Sequence, residues 1–281
     1  MSGNSGAGFG ARLAGALAAR GPLCVGVDPH PGLLADWGCS PDAAGLERFA
    51  MTCAEAFAGE VAVVKPQSAF FEAYGSAGVA VLERLIAECR AGGALVLLDV
   101  KRGDIGSTMA AYTQAYLTDG SPLAVDAITV SPYLGFGSLI PALDAARESG
   151  RGVFVLAATS NPEGASVQRA HRADGRSVAQ TVVDEAGRRN AGVLPMGDCG
   201  VVIGATLGTL GLDLADLNGP ILAPGFGAQG AGVAQLRALF GDSLAGVLPT
   251  SSRDVLRHGP VSKELLSAVR FVRSSLLEPV I

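Results

Sequence analysis

"LLDVKRGDIGSTMAAY", Leu97–Tyr112, places charge where a buried strand should end. Its opening residues are apolar, and then Asp99, Lys101, Arg102 and Asp104 crowd together. Strand side chains alternate between faces, so Asp99 and Lys101 are expected on one face, with Val100 turned toward covering helices. Gly103 is expected to break the strand. Asp104 then opens the helix DIGSTMAAYTQAYL, where its carboxylate either caps backbone N–H groups or serves a ligand. A buried ion pair is a weak source of stability. An acid and a base entering the interior together at a strand end therefore point to chemistry.

Working outward, the same kind of apolar run recurs. LCVGVD (Leu23–Asp28) and VAVVKP (Val61–Pro66) precede ALVLLDVK (Ala94–Lys101). AVDAITVS (Ala124–Ser131), GVFVLAAT (Gly152–Thr159), GVVIGAT (Gly200–Thr206), PILAPG (Pro220–Gly225) and LAGVLPT (Leu244–Thr250) follow. Amphipathic segments lie between them, among them Gly78–Arg90, Gly137–Ser149, Val178–Asn190 and Val261–Leu277. Strand–helix alternation implies parallel pairing through right-handed crossovers. Eight such units predict an α/β protein of the (β/α)8 TIM barrel class, since doubly wound sheets more often stop at fewer strands. The expected organisation is one domain over residues 1–281 with a leading helix at Phe9–Arg20. Asn161–Gly175, polar and Gly-rich, reads as an excursion.

Composition agrees. The chain has 281 residues, enough for one barrel, and only 17% are charged. Strands buried on both faces need few charges. A net charge of -5 and the lack of a basic stripe argue against nucleic acid or an anionic membrane as partner. The five cysteines are scattered, without CxxC spacing, and read as buried thiols in a reducing compartment. The N-terminal stretch lacks a signal-peptide pattern, and no apolar run reaches the ~18 residues of a membrane span. A cytoplasmic protein is expected. His30, His171 and His258 match no triad or metal spacing.

Barrel active sites lie at the C-terminal strand ends. Six of the expected ends carry polar side chains: Asp28, Lys65, Asp99 with Lys101, Ser131, Thr159 and Thr206. After the seventh run comes APGFGAQGAG (Ala223–Gly232), whose glycines let backbone N–H groups approach a ligand and whose Gln229 adds a donor. After the eighth comes TSSRDVL, with Arg253 as a permanent forked cation. These two loops are where barrel enzymes commonly hold phosphate, so a phosphomonoester is expected.

The D-x-K-x-x-D of Asp99, Lys101 and Asp104, followed by Ile105 and Thr108, resembles the orotidine 5′-phosphate decarboxylase family, as does PGFGAQG with a later Arg. The run from VGVDPH through VVKPQSAFFE and SPYLG to VVIGAT is similar to its bacterial type 2 branch. The resemblance spans Leu23–Ser275. It implies cofactor-free and metal-free decarboxylation of orotidine 5′-monophosphate to uridine 5′-monophosphate in de novo pyrimidine biosynthesis. By that resemblance Lys101 donates the proton to C6 and Asp99 lies against the departing carboxylate. Asp28 and Lys65 meet the ribose hydroxyls, with Lys65 joining the charged network. Ser131 meets the pyrimidine, Pro224 and Gln229 belong to a closing lid, and Gln229 and Arg253 hold the phosphate. Asp104, Ile105 and Thr108 are implied to reach into a neighbouring subunit's site, making a homodimer. Asp254 departs from the family pattern, the Asn161–Gly175 stretch aligns poorly, and the lid is short.

Three other readings remain open from the residues. Lys65 at a strand end suits a Schiff-base aldolase. D-x-K-x-x-D also suits a Mg²⁺-dependent sugar-phosphate decarboxylase, which needs a carboxylate cage. A non-catalytic phosphometabolite-binding barrel is the third.

Overall fold

The computed structural model describes residues 7–227, 230–241 and 244–277. Each apolar run contains one strand: β1 (Cys24–Val27), β2 (Val63–Pro66), β3 (Leu95–Arg102), β4 (Ala127–Val130), β5 (Gly152–Ala158), β6 (Cys199–Ile203), β7 (Ile221–Pro224) and β8 (Val247–Ser251). The strands neighbour one another in chain order and close as a barrel, with β1 paired to β8 in parallel. This is the (β/α)8 fold. Every residue of β1, β2, β4 and β6 is buried, as continuous rather than alternating apolar runs require when both faces are covered.

The helices follow the amphipathic pattern. Phe9–Arg20 and Val178–Asn190 form as expected, and Gly75–Ala91, Ile140–Glu148 and Ser262–Leu277 cover the other anticipated segments. Caps account for several starts. Asp42 accepts the Gly45 N–H at 2.9 Å, Ser177 that of Gln180, and His30 that of Leu33. His30 is therefore an N-cap. Asn161–Gly175 contains a 3-10 turn at Pro162–Gly164 and a short helix at Ala165–Gln168. A bridge between His171 and Ser177 follows it.

Contacts group the chain into two units, Met1–Gly15 with Lys101–Pro249, and Ala16–Val100 with Thr250–Ile281. In the first, Phe9 meets Phe154 edge to face at 6.0 Å, and Arg12 pairs with Asp126 at 2.7 Å. The fully buried Asn190 amide donates to the carbonyls of Cys199 and Leu217, fixing the start of β6. In the second, Trp37 stacks on Phe49 at 4.1 Å and donates its indole N–H to the Leu256 carbonyl at 2.9 Å.

The end of β3 departs from expectation. The strand stops at Arg102, but the helix begins at Gly106, with Ile105 at the N-cap position. Asp104 does not cap it; its Oδ1 accepts the adjacent Ile105 N–H at 2.8 Å. Gly103 matters here through space. A Cβ on it would fall 2.4 Å from the Ser131 carbonyl oxygen, so only glycine lets the chain pass.

Candidate active site

β1, β2 and β3 bring three of the expected residues together. The Lys65 ammonium lies 3.2 Å from Asp99 Oδ2 and 3.8 Å from Asp28 Oδ1. Register explains the assembly. Gly26 stands opposite Lys65 across β1 and β2, and Gln67 bridges to Asp99. Gln67 completes the array, accepting from Lys65 at 3.4 Å and donating to the Asp99 carbonyl at 3.3 Å. Sequence reading passed over Gln67, although it lies two residues beyond Lys65 and so on the same face.

Lys65 and Asp99 are 4% and 6% exposed, so neither charge could stand alone. Burial works against the Lys65 ammonium, but the carboxylates of Asp99 and Asp28 outweigh it and hold its pKa above the ordinary lysine value. A lysine kept protonated is a poor Schiff-base nucleophile. The neighbouring Cys24 thiol is pushed up to about 12, chiefly by burial, and stays protonated.

In the unit containing Lys101–Pro249, Lys101 is exposed at the end of β3 with φ at +46°, in the left-handed region. Its backbone N–H donates to Thr129 Oγ1 on β4 at 3.0 Å. Lys65, on β2, is ion-paired to Asp99 at 3.2 Å, a partner that strand period along β3 does not point to. Arg102 packs over the Tyr112 ring at 5.5 Å, a cation–π contact with the following helix. Ser131 follows β4 and donates its N–H to the Arg102 carbonyl at 2.8 Å. Pro224 ends β7, half-buried. Beyond it Gly227 and Ala231 are joined by a 2.8 Å backbone bond. Gln229 lies outside the described residues. Asp104 is half-buried, and Ile105 and Thr108 are exposed.

Arg253 opens the short helix Arg253–Leu256 after β8, exposed and without an ion pair among the described residues. Asp254 turns to Arg257 at 3.6 Å, so its charge has a partner of its own. Among the described residues no cluster of three or more His, Cys, Asp or Glu has the geometry to hold a metal ion. No helix there is long and apolar enough to cross a membrane.

Residues 21–263 match the orotidine 5′-phosphate decarboxylase / HUMPS family. A curated orotidine 5′-phosphate decarboxylase from Salinispora arenicola is 65% identical over 252 residues, 90% of this chain and 91% of the relative. One from Streptomyces coelicolor is 62% identical over the same length and coverage. A crystal structure of a Streptomyces avermitilis protein assigned the same activity superposes with a TM-score of 0.95 at 59% identity, covering 99% of this chain and 97% of that one.

Proposed function

Because this chain belongs to the orotidine 5′-phosphate decarboxylase / HUMPS family, we propose a division of labour among its residues for that reaction. The protein decarboxylates orotidine 5′-monophosphate to uridine 5′-monophosphate and CO₂, a step of pyrimidine biosynthesis. The C6–carboxylate bond breaks heterolytically and its electron pair stays on C6, in an sp² orbital the ring cannot delocalise. Fixed charge aimed at C6 stabilises that electron pair. Lys101 stabilises the developing carbanion and then gives it an ammonium proton.

The observation that carries this reading is the buried Asp28–Lys65–Asp99 array, which ends on the strand that bears Lys101. Asp99 faces the substrate carboxylate. At about 5 Å and an effective dielectric constant near 20, that repulsion is worth ~3 kcal/mol. Enzymes typically gain roughly 8–23 kcal/mol, so repulsion is a minor share and stabilisation at C6 dominates. Lys65, protonated and paired on two sides, keeps Asp99 ionised and in place. Asp28 and Lys65 receive the ribose hydroxyls, Ser131 the pyrimidine, and Arg253 and Gln229 the phosphate, with Pro224 at the root of the lid. Phosphate binding far from C6 supplies energy that holds the carboxylate in an unfavourable position.

We assign the assembly as a homodimer. Ile105, Tyr133, Leu134 and Ile140 are 62%, 79%, 51% and 45% exposed in the single chain, an apolar surface beside Asp104 and Thr108. A second copy covering it would receive Asp104, Ile105 and Thr108 next to its own site. Five free, buried thiols suit a reducing cytoplasm.

The test follows the loss of orotidine 5′-monophosphate absorbance with wild-type protein and Lys101→Met, each with and without EDTA. Wild-type turnover should be indifferent to EDTA, and the variant should lose about 10²–10⁴-fold in kcat. Turnover by Lys101→Met near the wild-type rate would refute the proton donor. Loss of wild-type activity in EDTA would favour a metal-dependent mechanism.

A further inference from the structure

We propose that Gly26 and Ser252 form a matched pair that sets the phosphate-holding turn, which makes Gly26 a positioning residue for the reaction. This rests on the reading that Arg253 holds the substrate phosphate. Gly26 sits in the middle of β1 between Val25 and Val27, both fully buried, and in register with Lys65. Glycine weakens a strand interior, and there it often marks the close approach of another segment.

The backbone at Gly26 does not call for glycine, because its φ lies outside the left-handed region. Space does. A Cβ on Gly26 would stand 1.9 Å from Ser252 Oγ and 3.0 Å from Ser252 Cβ. Rotating the Ser252 hydroxyl away relieves the first clash but not the second, since that Cβ is fixed by the main chain. The next neighbour, Asp28 Oδ2, is at 3.3 Å and would be crowded far less. Any side chain at 26 must therefore displace the Ser252 backbone.

Ser252 joins β8 to the helix Arg253–Leu256, with φ -120° and ψ -70°. Moving it moves the root of the Arg253 side chain. At 3.0 Å the Ser252 Cβ must give by a few tenths of an ångström, and where about 1 Å of misplacement costs about 10²-fold in rate, this smaller shift costs about tenfold at most. Among the described residues Ser252 makes no side-chain hydrogen bond, and nothing else there explains why this serine needs the room over β1. The pair is mutually specified: a side chain at 252 requires its absence at 26.

The experiment is a double-mutant cycle. kcat, KM and thermal midpoint are measured on orotidine 5′-monophosphate for wild type, Gly26→Ala, Ser252→Gly and the double variant. Gly26→Ala should lower kcat/KM by about tenfold, mainly through KM. In the Ser252→Gly background the same change should cost no more than about threefold, because the clash is gone. An equal loss in both backgrounds overturns the proposal. If Gly26→Ala alone does not fold, the double variant decides: folded and active supports the pairing, unfolded overturns it. Arg253→Ala tests the underlying reading separately. If that variant keeps kcat/KM within threefold of wild type, the phosphate assignment fails whatever the cycle shows.

Discussion

Lys65 stands on β2 and Lys101 on β3, in different surroundings. Lys65 is sealed between carboxylates, with its pKa raised above the ordinary value by Asp99 and Asp28 in spite of burial. A raised folded-state value contributes stability fully below the unfolded lysine value, ~10.4, and loses it only as pH climbs through the higher folded value. The array therefore stays charged throughout the neutral and moderately alkaline range. Lys65→Met removes the counter-charge of two buried carboxylates and should cost about 3–5 kcal/mol in urea unfolding at neutral pH. The difference from wild type should stay flat between about pH 7 and 9.5, since Lys65 does not titrate there. A difference that grows with rising pH in that window would show that folded Lys65 loses its proton below the ordinary lysine value, and would overturn the pairing. Lys101 is exposed and left-handed, and its backbone N–H donates to Thr129 Oγ1.

At the scale of elements, the turn after β8 depends on a helix far away in sequence. Trp37, beyond the helix Pro31–Asp36, is 3% exposed and donates to the carbonyl of Leu256, the last residue of the helix that Arg253 opens. Trp37→Phe keeps an aromatic ring against Phe49 but leaves the Leu256 carbonyl with the Gly259 N–H alone, at about 0.5–1.5 kcal/mol for the lost hydrogen bond. Its thermal midpoint should fall and its KM for the nucleotide should rise several-fold, while kcat changes less. A KM equal to wild type alongside a lowered midpoint would mean that Trp37 supports the barrel without aligning Arg253. Asp254 belongs to this scale too. Its carboxylate pairs with Arg257, three residues on in the chain, at 3.6 Å, which gives the charge beside Arg253 a partner of its own.

For the whole molecule the open matter is assembly. The apolar group of Ile105, Tyr133, Leu134 and Ile140 is too exposed to be explained by packing within one chain. Sedimentation should give about twice the mass of the 28.3 kDa chain. Tyr133→Glu combined with Leu134→Glu buries two carboxylates in the proposed interface and should yield monomers with at least tenfold lower kcat/KM, about 1.4 kcal/mol or more. Fully active monomers would remove Asp104, Ile105 and Thr108 from the catalytic assignment.

The amino-acid sequence on its own determined the barrel, the place of every strand within a few residues, and most of the charged side chains at the strand ends. Those features follow from hydrophobic period, which backbone geometry imposes locally on each element. The cluster at β3 shows where that stops. Period along β3 groups Asp99 with Lys101, but it says nothing of Lys65, thirty-four positions from Asp99, whose ammonium pairs with that carboxylate across the strands. The contacts of Gln67 and the Gly26–Ser252 fit were decided only by tertiary structure. Each depends on the register between strands or on the path of a turn, and those are set by closure of the barrel rather than by any neighbour in the chain.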